Sequence, residues 1–195
     1  MITKKNTNEL EFLNDVFSKI EALNLDYIYL ELPEFDFDKY PRIKFNFLKE
    51  DIESLSKLED YQTHVSTALE KLFYSYLWKI GKIPSIHSLR DGLNGKDFGN
   101  TGLVMNQFGK HLADSKNPII DQHVLRAFKM FKDQNVEKHS NSGSLTGKDK
   151  NFILKYNKWI SEILDKVEKP EDREEVMYKI DKILFRLGKG LKKSS

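Results

Sequence analysis

The sequence predicts an all-α protein, and three observations favour that class. Apolar side chains recur every three or four residues along most of the chain, the spacing of one helix face. Glycine, proline and helix-capping residues separate these stretches at intervals typical of helices. Phenylalanine occurs 13 times among the 195 residues, so aromatic side chains can fill much of a buried core. The chain shows no internal repeat.

Composition excludes several classes of function. The chain has no cysteine, which rules out disulfides, thiolate metal sites, iron–sulfur clusters and a cysteine nucleophile. Its five histidines follow no metal-binding spacing such as H-E-x-x-H, and we expect no metal and no other cofactor. No apolar run approaches the roughly 18 residues of a membrane span, and residues 1–6 do not resemble a signal peptide. We therefore expect a cytoplasmic protein that does not bind membranes.

Charge alone does not identify a partner. The net charge is +2, which is too small to indicate nucleic-acid binding by itself. Acidic residues crowd residues 31–60, whereas residues 186–195 carry basic side chains and no acid. A basic terminus of this kind is consistent with a solvated tail and with phosphate contacts.

The first half of the chain predicts helices on both sides of an irregular connection. Residues 7–23 have the pattern of an amphipathic helix, and the aromatic and acidic stretch 26–48 predicts an irregular or briefly extended segment. Helical spacing returns over residues 49–80, as two pieces divided near residues 59–60. The second piece, which Gly81 should end, has the most apolar face in the sequence, so we expect it to be central in its lobe.

Glycine is concentrated in residues 85–102, where the pattern predicts a short helix followed by tight turns. No G-K-[ST] follows and no strand precedes these glycines, which excludes a P-loop and a dinucleotide-binding turn. A further helix is expected over residues 103–113.

The last third of the chain predicts a loop and two strong helices. Residues 138–148 have the composition of a flexible loop. Thr146 and Asp149 have the spacing of a capping box at the start of an apolar helix. The final helix should begin at Pro170 and be closed by Gly188.

Between these regions, an apolar turn ends in an acid that can cap a helix. Asp121 follows a short apolar run and precedes a helix expected to extend to about Gln134. A carboxylate at that position accepts main-chain N–H groups and faces the positive end of the helix. From the residues alone, Asp121 is either a plain cap, worth about 1 kcal/mol of helix stability, or a functional carboxylate.

Two stretches together resemble the helix-hairpin-helix DNA glycosylases of base-excision repair. Residues 99–102 read Gly-Asn-Thr-Gly before a helix, and residues 121–126 read Asp-Gln-His-Val-Leu-Arg, which matches the Asp-x-His-Val-x-Arg part of the family's segment. The likeness covers about residues 85–131, roughly a quarter of the chain. The segment that contains Asp121 is the more specific half.

The resemblance implies a two-lobed fold with a helix-hairpin-helix element and a central groove between the lobes. One lobe would span about residues 26–116, with the hairpin at 99–110, and the other would combine residues 1–25 with 117–195. The target base would be flipped out of duplex DNA into the groove. Asp121 matches the carboxylate that stabilises the cationic sugar as the N-glycosidic bond breaks. The implied function is a DNA-binding, monofunctional DNA N-glycosylase that acts on a damaged or mismatched base.

The resemblance also implies a set of DNA contacts, in which hairpin amides and nearby side chains hold phosphates. That set comprises Gly99, Asn100, Thr101, Gly102, Asn106, Gln107, Lys110, His123 and Arg126. The chain departs from the family because its hairpin lacks the L-P-G-V-G-x-G sequence. No lysine lies between the glycine turn and Lys110, so a Schiff base and strand cleavage by β-elimination are not expected.

Two alternatives stay open at this level. The first is a non-catalytic relative that uses the same fold to bind DNA or nucleotides, and the second is an all-α protein-interaction module in which the match at Asp121 is chance. The modest net charge and the altered hairpin favour these alternatives, whereas the segment around Asp121 favours the enzyme. We expect a monomer that binds duplex DNA, including damaged duplex. Aromatic side chains that could stack on a base, or simply pack in the core, are Tyr27, Tyr29, Tyr40, Tyr74 and Trp78.

Overall fold

The computed structural model describes most of the chain, and every structural statement below concerns that part. The described residues are 6–31, 45, 47–57, 60–97, 99, 101–140, 143 and 145–191. Within them the protein is all-α and contains no β-strand, as the sequence predicts. The chain divides into two compact units. The first unit is Met1–Arg42 with Pro118–Ser195, and the second unit is Ile43–Asn117.

Ten α-helices lie in the part of the chain that the structure describes. In chain order they are α1 (Asn6–Glu21), α2 (Leu25–Glu31), α3 (Lys49–Ser56), α4 (Ala68–Lys79), α5 (Ile83–Leu93), α6 (Leu103–Ala113), α7 (Gln122–Asp133), α8 (Val136–Ser140), α9 (Lys150–Leu164) and α10 (Arg173–Gly190). Single turns of 3-10 helix lie at Gln62–His64, Gly147–Asp149 and Pro170–Asp172. In the described residues, no helix combines the length and apolar composition that crossing a bilayer requires.

Aromatic side chains from α1, α7 and α9 fill the core of the first unit. The Phe17 ring stacks on Phe131 with 4.0 Å between ring centroids, and Trp159 lies 5.2 Å from Phe17. Phe128 contacts Tyr156 edge-on, with centroids 5.2 Å apart. Such ring pairs add about 0.5–1.5 kcal/mol beyond the burial of their area. The core therefore depends on the aromatic residues that dominate the composition.

Glycine controls the packing of α5 against α6 in the second unit. A Cβ atom added to Gly92 would lie 1.9 Å from the carbonyl oxygen of Asn106, and one added to Gly109 would lie 2.1 Å from the carbonyl oxygen of Leu89. Both distances are far inside van der Waals contact, so only glycine lets the two backbones approach this closely.

Three predicted boundaries differ from the structure. Residues 26–31 form part of α2 rather than an irregular connection, and buried Leu25 and Ile28 fix that helix in the first unit. These residues therefore do not belong to the expected lobe of residues 26–116. The expected loop over 138–148 begins inside α8, and Gly188 lies within α10 instead of closing it. Residues 32–44 lie outside the described residues.

The expectation that the most apolar helix is central is wrong. α4 has no buried residue, and five of its large apolar side chains are 59–68% exposed, namely Leu69, Leu72, Phe73, Tyr76 and Trp78. The N-terminus of α4 is nevertheless capped, because Glu70 accepts the main-chain N–H of Thr67 at 2.8 Å in a capping box. Gly81 follows with φ of +66° and ends the helix as predicted.

Candidate functional site

Asp121 caps α7, as the sequence predicts. Its Oδ1 accepts the main-chain N–H of His123 at 2.7 Å and that of Val124 at 2.8 Å. Its Oδ2 accepts no hydrogen bond from any described residue, and the side chain is half-buried. The buried residues Pro118 and Ile120 anchor the turn that leads to it. One carboxylate oxygen is thus fixed by the helix start, and the other is available to a ligand.

Arg126 and His123 form a connection from α7 to α10. Arg126 is 1% exposed, and its Nη1 donates to the Gly188 carbonyl and to Nδ1 of His123, each at 2.8 Å. A guanidinium has only donors, so Nδ1 of His123 is an acceptor and the ring is the neutral tautomer. Burial lowers the pKa of His123 and, likewise, the pKa of Arg126. Arg126 is therefore internal in this conformation, and its contact with DNA stays a prediction.

Gly188 explains why α10 passes so close to the start of α7. A Cβ atom at this position would lie 1.8 Å from the carbonyl oxygen of His123. The ring of His123 meets Phe185 edge-on in the same contact, with centroids 5.1 Å apart. α10 therefore packs against the start of α7, next to the turn that contains Asp121. The Arg126–Gly188 hydrogen bond in this contact joins residues 62 positions apart in the sequence.

Asp181 of α10 is a second acid at this site, and sequence reasoning missed it. It is 2% exposed, and its oxygens accept the Tyr156 hydroxyl at 3.0 Å and the Ile119 main-chain N–H at 3.4 Å. Burial, helped by the negative charge of Asp121, raises the pKa of Asp181 to about 8. A signal existed in the sequence, because Asp181 lies four residues after Met177 and three before Leu184, on the buried stripe of an amphipathic helix.

The glycine-rich connection at 94–102 has less freedom to bind phosphate than expected. Gly102 precedes α6 with φ of +70°, and a Cβ there would lie 2.0 Å from Oγ of Ser88. Gly99 and Thr101 are exposed, whereas Asn100 lies outside the described residues. Gly92 and Gly102 are thus required for close packing. At Gly99, by contrast, no atom lies within 4 Å of an added Cβ.

Side chains predicted to reach DNA from α6 are mostly engaged within the second unit. Asn106 is 2% exposed and Gln107 is fully buried, so either side chain would have to move to contact a nucleic acid. Their contacts with DNA stay predictions. Nζ of Lys110 forms an ion pair with Oδ1 of Asp97 at 3.4 Å, and Nζ of Lys96 forms one with Oδ1 of Asp91 at 3.3 Å. Two acids therefore compensate the lysines beside the hairpin.

The aromatic candidates for base stacking do not share a single environment. Tyr27 and Trp78 are exposed, and Tyr74 is half-buried. The side chains of Tyr29 and Tyr40 lie outside the described part of the chain. Among the residues that the structure describes, no group of three His, Asp or Glu side chains could hold a metal ion.

Comparisons with known proteins add no relative to this picture. No protein-family model matches the chain, and neither a curated protein nor a solved structure matches it. Function is therefore inferred from the geometry of the site and from the resemblance around residues 121–126.

Proposed function

We propose that this chain binds duplex DNA and acts, as a monomer, as a monofunctional DNA N-glycosylase with Asp121 as its catalytic carboxylate. The observation that carries the proposal is that the two oxygens of Asp121 differ in their hydrogen bonding. Oδ1 is held by the amides of His123 and Val124, while Oδ2 has no donor among the described residues. A helix cap needs one oxygen, so the second is available for chemistry at a position that the helix fixes.

The chemistry suits a carboxylate in this position. When the N-glycosidic bond breaks, the base leaves with the bonding electrons and the sugar develops positive charge at its anomeric carbon. A preorganised negative charge lowers the energy of that state, and water then adds to the carbon and loses a proton. No lysine amine is required, which agrees with the pairing of Lys110 with Asp97.

DNA contact is proposed at the start of α6, where Gly99 and Thr101 are exposed. Gly102 offers no side chain to cap the helix, and helix N-termini attract phosphate through their free N–H groups. Lys96 and Lys110 would have to exchange their aspartate partners for phosphates, which makes binding sensitive to salt. The groove between two lobes stays a prediction.

A second candidate function is favoured by one observation, the exposed apolar face of α4. Large exposed apolar patches are typical of protein-interaction surfaces. On this account the chain is an all-α interaction module, and Asp121 is only a cap.

The experiment that tests the proposal is base release from a panel of duplexes, each carrying one damaged or mismatched base. We expect free base from at least one duplex, with the DNA strand left intact until alkali is added. An undamaged duplex of the same sequence is the control. Strand cleavage without alkali would contradict the monofunctional chemistry, and release from no duplex would contradict the enzyme.

DNA binding has its own test, so that the two claims can fail separately. Duplex carrying an abasic site is titrated with the protein at low and at high salt. We expect association that weakens steeply with salt. If no association is measured at low salt, the DNA-binding proposal is rejected, and the interaction module is the remaining candidate.

A further inference from the structure

Asp181 connects three parts of the first unit at one buried point. It belongs to α10, its Oδ1 accepts the hydroxyl of Tyr156 from α9, and its Oδ2 accepts the amide of Ile119. Ile119 lies two residues before Asp121, within the turn that presents the candidate carboxylate. The side chain is 2% exposed, so water cannot replace either partner at low cost.

The charges around Asp181 favour its neutral form. No cation pairs with it in the described part of the chain: its own helix has Lys179 bound to Asp26 at 2.7 Å and Lys182 above the Tyr178 ring at 4.3 Å. From α7, Arg126 binds Gly188 and His123 instead. Burial, the largest effect, and the charge of Asp121 raise the pKa of Asp181, whereas the hydrogen bonds from Tyr156 and from the Ile119 amide lower it, and burial prevails.

We propose that Asp181 is the positioning residue of the site: its buried carboxyl joins the Ile119 amide to the Tyr156 hydroxyl and so fixes the turn that presents Asp121. This inference rests on the proposed function, since it assigns a role in the reaction of Asp121. Like charges at close range disfavour each other, and here burial leaves the proton on Asp181. Of Asp121 and Asp181, only Asp121 is therefore anionic. The hydrogen bond from the Ile119 amide to Asp181 holds the turn in place.

A pH limit follows from this arrangement. Because the pKa of Asp181 is raised to about 8, the side chain is neutral below that pH and ionises above it. The new charge would repel the Asp121 carboxylate and displace it from the position that the turn gives it. Base release by the wild-type protein should then fall above about pH 8, approaching tenfold for each further unit.

Two substitutions separate positioning from general support of the fold. Asp181→Asn keeps the Ile119 bond, because the amide oxygen accepts from that N–H, and it reverses the Tyr156 bond, because the amide nitrogen donates to the hydroxyl oxygen. We expect this variant to retain wild-type base release near pH 7 and to lose the decline above pH 8. Asp181→Ala removes both bonds, and a misplaced carboxylate should cost about 100-fold in rate. A decline in Asp181→Asn identical to that of the wild type would overturn the proposal, as would equal rates for all three proteins.

A readout that needs no activity keeps the inference testable if the enzyme proposal fails. The ¹H and ¹⁵N shifts of the Ile119 amide are followed by NMR as pH is raised through about 8. We expect them to titrate in the wild-type protein and to stay constant in Asp181→Asn. A constant Ile119 amide in the wild type would overturn the positioning role, whatever the DNA panel shows, whereas a titrating amide with no base release would reject only the catalytic function.

Discussion

α9 and α4 are both apolar, aromatic helices, yet they lie in opposite environments. α9 buries Ile153, Tyr156 and Trp159 in the core of the first unit. α4 carries a comparable set of side chains and buries none of them. The difference shows that an apolar face predicts a helix, but whether that face is covered depends on neighbours that lie elsewhere in the chain.

The two helices are also stabilised in different ways. Trp159 of α9 donates to the Glu21 carboxylate at 2.8 Å and packs against Phe17, so tertiary contacts hold that helix. α4 relies on its ends, where Ser66 and Thr67 amides bind Glu70 and lower its pKa to about 2. Substitutions within the two helices should therefore have very different effects on folding.

The largest effect is expected from Trp159→Ala in α9. Trp159 is 5% exposed and contacts three aromatic rings. Truncating a buried tryptophan removes transfer energy and leaves a cavity, which costs about 3–5 kcal/mol. The free energy of unfolding, measured by urea denaturation, should fall by that amount. A loss below about 1 kcal/mol would show that the aromatic cluster is not the core.

Gly188→Ala should also destabilise the first unit, because the new methyl group would meet the His123 carbonyl at 1.8 Å. Overpacking of this kind costs about 1–3 kcal/mol, and more where backbone must move. Gly143→Ala is the matched control, since nothing lies within 4 Å of a Cβ there. If the two variants had equal unfolding midpoints, the close contact of α10 with α7 would not exist in solution.

The buried acid next to α9 should make stability depend on pH. The pKa of Asp181 rises from 3.8 to about 8 on folding, so the folded state retains a proton that the unfolded state has lost. This group's contribution to the free energy of unfolding is therefore largest at about pH 4 and falls as pH rises to about 8. Asp181→Asn cannot ionise, and its stability relative to the wild type should increase over the same range. A constant difference across those pH values would contradict the neutral, buried acid.

The smallest effect is expected from Trp78→Ala in α4. Trp78 is 68% exposed, so its removal changes little buried area and should shift the free energy of unfolding by no more than about 0.5 kcal/mol. Set beside Trp159→Ala, this variant compares the same side chain in the two helices. A loss as large as that of Trp159→Ala would mean that α4 is covered in solution.

Local features of the fold could be predicted from the sequence, and distant partners could not. The capping role of Asp121, the end of α4 at Gly81 and the helix over 103–113 depend on residues close in sequence. The roles of Arg126 and Asp181 depend on bonds to residues 62 positions away. No pattern within one helix identifies such a partner.

The same limit explains the errors at the hairpin. Glycine density predicted backbone freedom, but at Gly92 and Gly109 the missing side chain serves the contact of α5 with α6. Asn106 and Gln107 are polar residues of α6, yet both are buried. Polarity predicts exposure only where no neighbouring backbone covers the residue.

The central claim, that Asp121 is a working carboxylate as well as a cap, is tested most directly by Asp121→Asn. Asparagine caps a helix as well as aspartate does, so the free energy of unfolding should change by no more than about 0.5 kcal/mol. The negative charge at Oδ2 is lost, and base release from the duplex that the wild type processes should fall by at least about 100-fold. Release at the wild-type rate from a normally folded Asp121→Asn protein would show that the carboxylate only caps α7.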